Sequence, residues 1–435
     1  MYYHNTRYTF KLPDGCPPDI AGGIIAASAM PHHQLLRRNL KSYPYLQHRY
    51  FDPQIYLAGL NSRQAPTATY NLATFPWFDV TDSVPSYDSS RHGTMKQYKE
   101  RFSDELVDSW AGQPPTDPDL ISRAVREAVL FQVQLGCEGI ILPSPMTAAA
   151  TGDYESELRW LDCGLEVCQD QRISLPVFAT VAISDPLLRG TDPDANALIN
   201  TITDQVSARP VAGAYIVIEQ ASERGYSCTH PNTLYSLLLL VDDLVRGAGK
   251  RVIVNYMGTF GAVLRAAGAS VWSTGYYLSQ RRLRLADFET SDARAYPRYH
   301  SFKLAGDIGV RSDLETIVRS GLGPAVFYES EAARPLHAAL LAGRRSDDVP
   351  AWKYEISNIR AAQVHHTSLM RGLGLSLEMR DDSNRINAVN RWLERASELA
   401  TQISQLGIRD SYQTELSHQE TWLQVFERWR KRSGL

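Results

Sequence analysis

The sequence predicts an α/β protein built on a closed (β/α)8 barrel, with a long insertion after the second strand and a helical extension at the carboxyl end. From residue 20 onward, short apolar runs alternate with amphipathic stretches, and glycine or proline separates them. The apolar runs are continuous, which is typical of parallel strands covered by helices on both faces. Eight such runs lie between residues 19 and 309, as a barrel of this kind needs. An open doubly wound sheet is the alternative arrangement.

Each predicted strand is an apolar run that ends at turn residues. In chain order the predicted strands lie within residues 19–40, 54–61, 137–145, 175–185, 211–220, 250–258, 270–277 and 300–309. From the third strand onward a predicted helix follows each one, at residues 155–171, 195–210, 233–249, 259–269, 278–288 and 312–321. Regular alternation of strands and helices indicates βαβ units. The barrel domain is therefore predicted to span residues 1–330.

A long connection separates the second predicted strand from the third, at about residues 62–117. It contains the aromatic run TYNLATFPWFDV, a polar Ser/Asp-rich stretch, and a predicted helix at residues 96–110. Loops that follow barrel strands crowd the catalytic face, so an insertion here is suited to form a lid or a wall of a substrate site. A surface insertion with no such role is the alternative.

The carboxyl-terminal residues 331–435 are predicted to form a helical extension. Residues 385–408 carry one apolar stripe at helical spacing, made of Ile386, Val389, Leu393, Ala396, Leu399 and Ile403. Residues 421–432 carry a second stripe with Trp422, Phe426 and Trp429. Two such helices form a hairpin that packs either on the barrel or on another subunit. A homo-oligomer held by these helices is one expectation.

The composition is that of a folded, water-soluble protein. Of the 435 residues, 43% are apolar and 21% are charged, which is enough for a sizeable core. The formal net charge of −3 argues against broad binding to a nucleic-acid backbone, although a local basic site stays open. There is neither an apolar run of about 20 residues nor a signal-peptide layout. We expect no membrane association and a cytoplasmic location.

No motif indicates a cofactor or a structural metal. The cysteines are odd in number and form no CxxC pair, which predicts reduced thiols. No GxGxxG sequence follows the first predicted strand, so no dinucleotide fingerprint is present. His32 and His33 are adjacent and could serve as metal ligands or as a base, but neighbouring side chains at a helix start point in different directions. The cofactor is left undetermined, and no metal site is predicted.

If the barrel closes, the side chains at the carboxyl ends of its strands meet at one mouth. Four of them are candidate catalytic residues: Glu219, Asp185, Asp307 and Lys303. Ten more are candidate substrate-binding residues: Ser28, His32, Asn61, Ser144, Asn255, Tyr256, Tyr276, Tyr277, Gly306 and Gly309. The set is polar and rich in hydroxyl groups, as a site for a polar small molecule requires.

Glu219 and Asp185 are the leading pair of catalytic candidates. Glu219 ends the apolar run AYIVIE, so burial of its base is expected to raise its pKa toward the range of a general acid. Asp185 ends the preceding strand and would be its neighbour. Two carboxylates in different environments suit general acid/base or glycosyl-transfer chemistry. Alternatively, Asp185 before Pro186 forms a turn, and Glu219 pairs with an arginine.

The run KLAGDIGVRSD places glycines and a carboxylate at the joint between the last predicted strand and its helix. Gly306 and Gly309 would let a ligand approach the backbone. The free amides of residues 310–313 would then favour an anion such as phosphate, and a desolvated Lys303 would be able to form a Schiff base. Ser312 and Asp313 are also ordinary helix caps, which is the alternative to an anion-binding loop.

The run PRYHSFKLAGDIGVRSDLETIVRSG at residues 297–321 resembles the late barrel segment of tRNA-guanine transglycosylases. In that family a Pro-Arg-Tyr run leads into a glycine-rich turn and a helix that bears Asp-Leu. The resemblance implies a barrel that exchanges a glycosyl bond on a nucleoside-like substrate. The family's cysteine-rich zinc site and its Asp-Ser-Gly-Gly-Phe motif are absent, and no catalytic residue is carried over.

The sequence thus predicts a barrel enzyme that acts on a polar small-molecule or nucleoside-like substrate through carboxylate acid/base chemistry. Glycosyl-bond cleavage or exchange, by a hydrolase or a transferase, is the named reaction class. A lyase or aldolase-type enzyme that uses Lys303 is the first alternative. The second is a non-catalytic barrel that serves assembly or binding through its carboxyl-terminal helices, since a barrel by itself does not define a chemistry.

Overall fold

A parallel eight-stranded sheet lies at the centre of the protein. The structure is a computed structural model that describes residues 2–6, 10–78, 93–106, 114–147, 154–189, 197–220, 226–289 and 295–435. The strands are β1 (Tyr2–Thr6), β2 (Gly22–Ala26), β3 (Arg49–Asp52), β4 (Ile140–Ile141), β5 (Val177–Ser184), β6 (Gly213–Glu219), β7 (Arg251–Val254) and β8 (Val271–Thr274). They are neighbours in chain order.

The sheet curls into a nearly closed barrel. β8 pairs in parallel with β1, with Tyr3 opposite Ser273, so the first and last strands meet. β3 and β4 are the two ends of the hydrogen-bonded order, and the amide of Glu138 spans them by donating to the carbonyl of Arg49 at 3.0 Å. The (β/α)8 fold predicted from the apolar runs is confirmed.

Helices surround this barrel because their apolar faces cover the outer side of the strands. The helices of the barrel region are α1 (His32–Leu36), α2 (Pro66–Ala73), α3 (Met95–Leu106), α4 (Pro118–Gln134), α5 (Glu155–Asp170), α6 (Pro186–Arg189), α7 (Ala197–Ser207), α8 (Pro231–Asp242) and α9 (Gly261–Ala267). α4 shows the local cause of such a helix. Asp117 caps it by accepting from the amides of Asp119 and Leu120 at 3.0 and 3.1 Å, and Pro118 starts its first turn.

Three strand assignments from the sequence were wrong. The first strand is β1, which was missed because its sequence YYHNT is short and polar. Residues 54–61 do not form a strand, since Ile55–Leu57 is a short 3₁₀ helix, and the true strand β3 ends just before it. The long connection therefore follows the third strand. The eighth strand is β8, and residues 300–309 lie outside the barrel.

Residues 300–309 belong instead to an antiparallel hairpin of β9 (Arg298–Ser301) and β10 (Gly306–Gly309). Gly306 faces Ser301 and Gly309 faces Arg298 across the ladder. One strand was predicted here because Leu304 and Ala305 are apolar. In the structure both residues are buried in the turn of the hairpin, where Ala305 adopts a left-handed φ of 60°.

The helical extension follows this hairpin. Its helices are α10 (Glu315–Arg319), α11 (Gly323–Val326), α12 (Arg334–Leu341), α13 (Arg360–Glu378), α14 (Asp382–Gln405) and α15 (His418–Arg432). The apolar stripe predicted for α14 is buried along its whole length. Trp422 and Trp429 of α15 belong to the main core, and the Trp422 indole donates to the carbonyl of Cys228 at 2.8 Å. The hairpin of α14 and α15 thus packs on the barrel.

A second, smaller core joins the β9–β10 hairpin to the helical extension. Tyr299, Ile308 and Trp352 lie in it together with Leu399 and Ile403 of α14. This core contains residues from both sides of residue 330, where the sequence predicts a domain boundary. The boundary itself stays a prediction. Within the described residues, no helix combines the length and the apolar character that crossing a bilayer requires.

Candidate functional site

The first feature of the barrel mouth is a hydrogen bond between the ends of β5 and β6. Ser184 lies opposite Glu219 in the parallel register, and its Oγ donates to Glu219 Oε2 at 2.7 Å. The backbone fixes the pair, because the amide of Asp185 donates to the carbonyl of Glu219 at 3.0 Å. Glu219 is 9% exposed. It stands at the carboxyl-terminal face, where barrel enzymes place their catalytic groups.

The carboxyl group of Glu219 retains a free oxygen. Oε1 makes no hydrogen bond to any residue that the structure describes. Burial raises the pKa of Glu219, the hydrogen bond from Ser184 lowers it in part, and the nearby charge of Asp185 raises it again. A carboxyl group with a raised pKa and a free oxygen can give and accept a proton.

Asp185 is held differently. Its side chain is fully buried, and Oδ2 accepts from Arg189 Nε at 2.9 Å as well as from Arg189 Nη2. The two residues are four apart at the start of α6, so the helix places the guanidinium over the carboxylate. This contact compensates the charge of Asp185. Among the catalytic candidates, Asp185 is therefore suited to position its neighbours rather than to take up protons.

A third carboxyl group lies at the mouth, that of Asp52, which was missed in the sequence. Asp52 ends β3, is 1% exposed, and accepts from the hydroxyl groups of Tyr56 at 2.5 Å and Tyr215 at 2.6 Å. The amide of Gln54 adds a third bond at 3.1 Å. Burial raises the pKa of Asp52 to about 6, and these three hydrogen bonds oppose the rise. The missed signal was the strand run RYFD, since the prediction placed the strand five residues later.

A buried hydrogen-bond network extends from Asp52 to three of the predicted substrate-binding residues. Asn255 Nδ2 donates to Tyr215 Oη at 2.6 Å, and Asn255 Oδ1 accepts from the amide of Tyr256 at 2.8 Å. Gln54 Nε2 donates to Tyr256 Oη at 3.1 Å, and Gln54 Oε1 accepts from the amide of Ser28 at 2.8 Å. The structure therefore brings Ser28, Asn255 and Tyr256 together.

Two residues of this network have a strained backbone. Gln54 has φ 56° and Tyr256 has φ 60°, in the left-handed region that side-chain-bearing residues rarely enter. Their side chains hydrogen-bond each other. Strain of this kind is kept where the surroundings over-determine the geometry, and it concentrates at functional sites.

The remaining predicted substrate-binding residues of the barrel lie at different places. Tyr276 follows β8 and stacks on the ring of His4, with ring centroids 5.0 Å apart and planes at 9°, and Tyr277 lies against it. Ser144 is buried after β4 and bonds only locally, to the carbonyl of Pro145 at 3.3 Å. All three border the mouth. Tyr277 is linked to the Asp52 network, because its amide donates to Gln280 Oε1 at 3.0 Å, Gln280 Nε2 donates to the carbonyl of Asn5 at 2.9 Å, and Asn5 Nδ2 donates to Asn255 Oδ1 at 3.1 Å.

His32 and Asn61 make their contacts away from the Asp52 network. His32 packs against the aromatic rings of Phe75 and Phe131, with centroids 5.4 and 4.9 Å away. Asn61 is exposed, and its Oδ1 accepts from the amides of Arg63 and Gln64 at 3.0 and 3.2 Å. Asn61 therefore closes a turn, and the prediction that it ends a barrel strand was wrong.

The hairpin residues do not form the predicted anion-binding loop. Lys303 is exposed and its Nζ donates to the carbonyl of Pro324 at 2.8 Å. The amide of Gly309 is occupied by Thr414 Oγ1 at 2.8 Å. A Cβ at Gly306 would lie 3.1 Å from the carbonyl oxygen of Glu415. The glycines thus admit residues 413–419 of the chain, and the chain itself fills the space assigned to a phosphate.

Asp307 of the hairpin is buried against Arg281 and His300. Arg281 Nη1 donates to both carboxylate oxygens at 3.0 and 2.8 Å, and His300 Nδ1 lies 2.6 Å from Oδ1. Burial by itself would raise the pKa of Asp307, but Arg281 and His300 outweigh it and hold the pKa well below its ordinary value. Asp307 therefore stays ionised, which does not suit the acid/base role predicted for it.

The fold and the mouth define a (β/α)8-barrel protein with two carboxyl groups of raised pKa at the carboxyl-terminal face. No family model matches the chain, and no curated protein is significantly similar to it. The resemblance of residues 297–321 to tRNA-guanine transglycosylases thus gains no support from family models. In the part of the chain that the structure describes, no three His, Cys, Asp or Glu side chains are grouped to hold a metal.

Proposed function

We propose that this protein is an enzyme that transfers protons through Glu219 to and from a polar small molecule bound at the barrel mouth. The supporting observation is the state of its carboxyl group: Oε2 is fixed by Ser184, Oε1 has no described partner, and burial raises the pKa. A group of this kind is poised to protonate a leaving group and then to activate water.

Asp52 supplies the second carboxyl group of the proposed mechanism. With a pKa of about 6, it is mostly ionised at neutral pH, and the hydroxyl groups of Tyr56 and Tyr215 keep it in place. A fixed negative charge stabilises positive charge that develops on a substrate. Asp185 acts by positioning, since Arg189 holds it and its amide anchors the backbone at Glu219.

The reaction class that these groups favour is cleavage or exchange of a glycosyl bond, on a nucleoside-like or other sugar-bearing substrate. Glu219 would donate its proton to the atom that leaves the sugar, and the carboxylate of Asp52 would offset the positive charge left on the ring carbon. Water or an incoming group then takes the position of the leaving group and returns a proton to Glu219. The proposal rests on these two carboxyl groups, because the transglycosylase-like run lies in the β9–β10 hairpin outside the barrel.

A panel of nucleosides and simple glycosides, assayed for release of the base or aglycone, tests this proposal. We expect Glu219→Gln to lower turnover at least about 100-fold, as loss of a general acid does, while Glu398→Gln on the surface of α14 leaves it unchanged. Unchanged turnover by Glu219→Gln would exclude Glu219 as the proton donor. No turnover of any panel member by the wild type would remove glycosyl transfer as the reaction class.

The structure weighs against the Schiff-base alternative. Lys303 is exposed and lies outside the barrel, where its ammonium group remains solvated. A Schiff-base lysine needs desolvation to become a nucleophile at neutral pH. Borohydride reduction in the presence of a carbonyl substrate is therefore expected to trap nothing on Lys303.

Truncation of the helical extension cannot test the assembly alternative. Trp422 and Trp429 of α15 are buried in the main core, so removal of the extension would expose the barrel and unfold it. Surface substitutions on α14, such as Arg391→Glu, leave the core intact and separate loss of assembly from loss of folding.

A further inference from the structure

A cavity of about 210 Å³ lies between the barrel mouth and the helical extension. One wall is formed by the segment after β8, with Tyr276, Tyr277 and Arg281, and another by Arg298 at the start of β9. Residues from the beginning of α13 and from the segment before α15, among them Ala362 and Tyr412, form the rest of its lining. Tyrosine rings thus line part of its walls, and guanidinium groups reach it from two sides.

The charges of the described residues around this cavity are not balanced. Among the described residues, the charged ones that line it are Arg281, Arg298 and Asp307. Asp307 is already engaged by Arg281 and His300. No carboxylate of the described residues forms an ion pair with Arg298, which is 9% exposed. Among the described residues, one positive charge is thus left over at the cavity.

The guanidinium of Arg298 is fixed but not satisfied. It lies over the ring of Tyr412, 4.3 Å from the centroid, and over the ring of Tyr226 at 5.1 Å. The two tyrosine hydroxyl groups hydrogen-bond each other at 3.0 Å. Nη1 of Arg298 and Nε of Arg281 are buried, and neither donates a hydrogen bond to any group in the described ranges. Buried donors without acceptors are rare in folded proteins and costly.

We propose that this cavity binds a small molecule that bears one anionic group, a carboxylate or a phosphate, on a flat ring. The anion accepts hydrogen bonds from the free N–H groups of Arg298 and Arg281, and the ring lies against Tyr277 and its aromatic neighbours. Guanidinium groups favour planar oxyanions because their donors match the acceptor spacing. The volume of the cavity accommodates a single ring. This proposal does not depend on the acid/base chemistry of Glu219.

Calorimetric titration with benzoate, phenyl phosphate and neutral benzamide tests the site. We expect saturable binding of benzoate, phenyl phosphate or both, and none of benzamide. Arg298→Gln is expected to weaken that binding at least tenfold. Arg311→Gln is the matched control, because that guanidinium also lies over a tyrosine ring, at 5.8 Å from the centroid of Tyr354, but is exposed. Tighter binding of benzoate would assign the ligand to the carboxylates, and tighter binding of phenyl phosphate would assign it to the phosphates.

A second variant keeps the test valid if Arg298→Gln does not fold. Ala362→Leu fills part of the cavity without changing its charges, and we expect it to reduce the same binding at least tenfold. Absence of binding to the wild type would overturn the proposal. So would binding of benzamide equal to that of the anions, or binding that the folded cavity variants leave unchanged, because the anions would then bind elsewhere.

Discussion

Ser184 donates its hydroxyl proton to Glu219 across the paired ends of β5 and β6, at 2.7 Å. The bond orients one carboxylate oxygen and leaves the other without a partner among the described residues. Because Ser184 bonds best to the ionised form, it moderates the rise in the pKa of Glu219 that burial causes. The serine thus sets both the direction and the acidity of the proposed proton donor.

Because the pKa of buried Asp52 is raised, we expect this residue to make the protein less stable as the pH rises. Its folded-state pKa of about 6 exceeds the value of about 3.9 for an unfolded aspartate, so the folded protein binds the extra proton between these values. Stability contributed by this group is therefore present below pH 4 and is lost as the pH rises to 6, by about 3 kcal/mol. Asp52→Asn should remove this loss. Urea unfolding of both proteins at pH 4.5 and pH 7.5 measures it, and an equal pH dependence in the two would contradict the assignment.

We expect His4 to give the opposite pH dependence, with stability that is lost as the pH falls. Burial lowers the pKa of His4 to about 3, and neither ring nitrogen has a hydrogen-bond partner among the described residues. The unfolded chain takes up a proton near pH 6.5, so stability is lost as the pH falls from 6.5 toward 3. His4→Phe should keep the stacking on Tyr276 and gain about 3 kcal/mol relative to the wild type at pH 4.5. Urea unfolding at pH 4.5 and 7.5 tests this, and His33→Phe, at an exposed histidine, is the control. A gain in stability of equal size at both pH values would show that protonation of His4 is not its cause.

The ion pair between Asp307 and Arg281 predicts a large effect of breaking it. Asp307→Asn leaves the buried guanidinium without its counter-charge, and we expect a loss of about 3–5 kcal/mol of unfolding free energy. Glu355→Gln breaks the exposed pair with Lys353 and should change little. Chemical denaturation measures both. If the two variants were equally stable, the buried cluster would not hold the hairpin to the barrel.

Gly306 tests the explanation of the glycines in the hairpin. In Gly306→Ala the new methyl group would meet the Glu415 carbonyl oxygen at 3.1 Å and His418 Cε1 at 3.0 Å. We expect a loss of about 1–3 kcal/mol from this crowding. Gly247→Ala is the matched control, since nothing lies within 4 Å of its new methyl group. Thermal unfolding of the two compares them, and a Gly306 variant as stable as the control would reopen the space as a ligand site.

The fold class could be predicted because the strands β5 and β6 are long, apolar on both faces and bounded by turn residues. The sequence paired Glu219 with Asp185 at the end of the preceding strand, whereas in the structure Ser184 lies opposite Glu219 in the register. β1 and β3 could not be found in this way, because YYHNT and RYFD are short and contain polar side chains, most of which are buried. Asp52 was lost with β3.

The partners of the site residues could not be predicted. Asp52 bonds Tyr215, which is 163 residues away, and Asp307 meets Arg281 only because the hairpin folds back toward the segment after β8. The sequence also gives no sign that residues 413–419 fill the glycine turn of the hairpin. Such contacts depend on the packing of elements far apart in the chain, which local patterns do not encode.

The central claim is that Glu219 carries a proton at a pH where an ordinary glutamate does not. The most direct measurement is an NMR titration of carboxyl groups in protein labelled with ¹³C-glutamate, with the Glu219 signal assigned by its loss in Glu219→Gln. The account predicts a pKa above the ordinary glutamate value of about 4.3, and a further rise in Ser184→Ala. A pKa at or below the ordinary value in the wild type would contradict it.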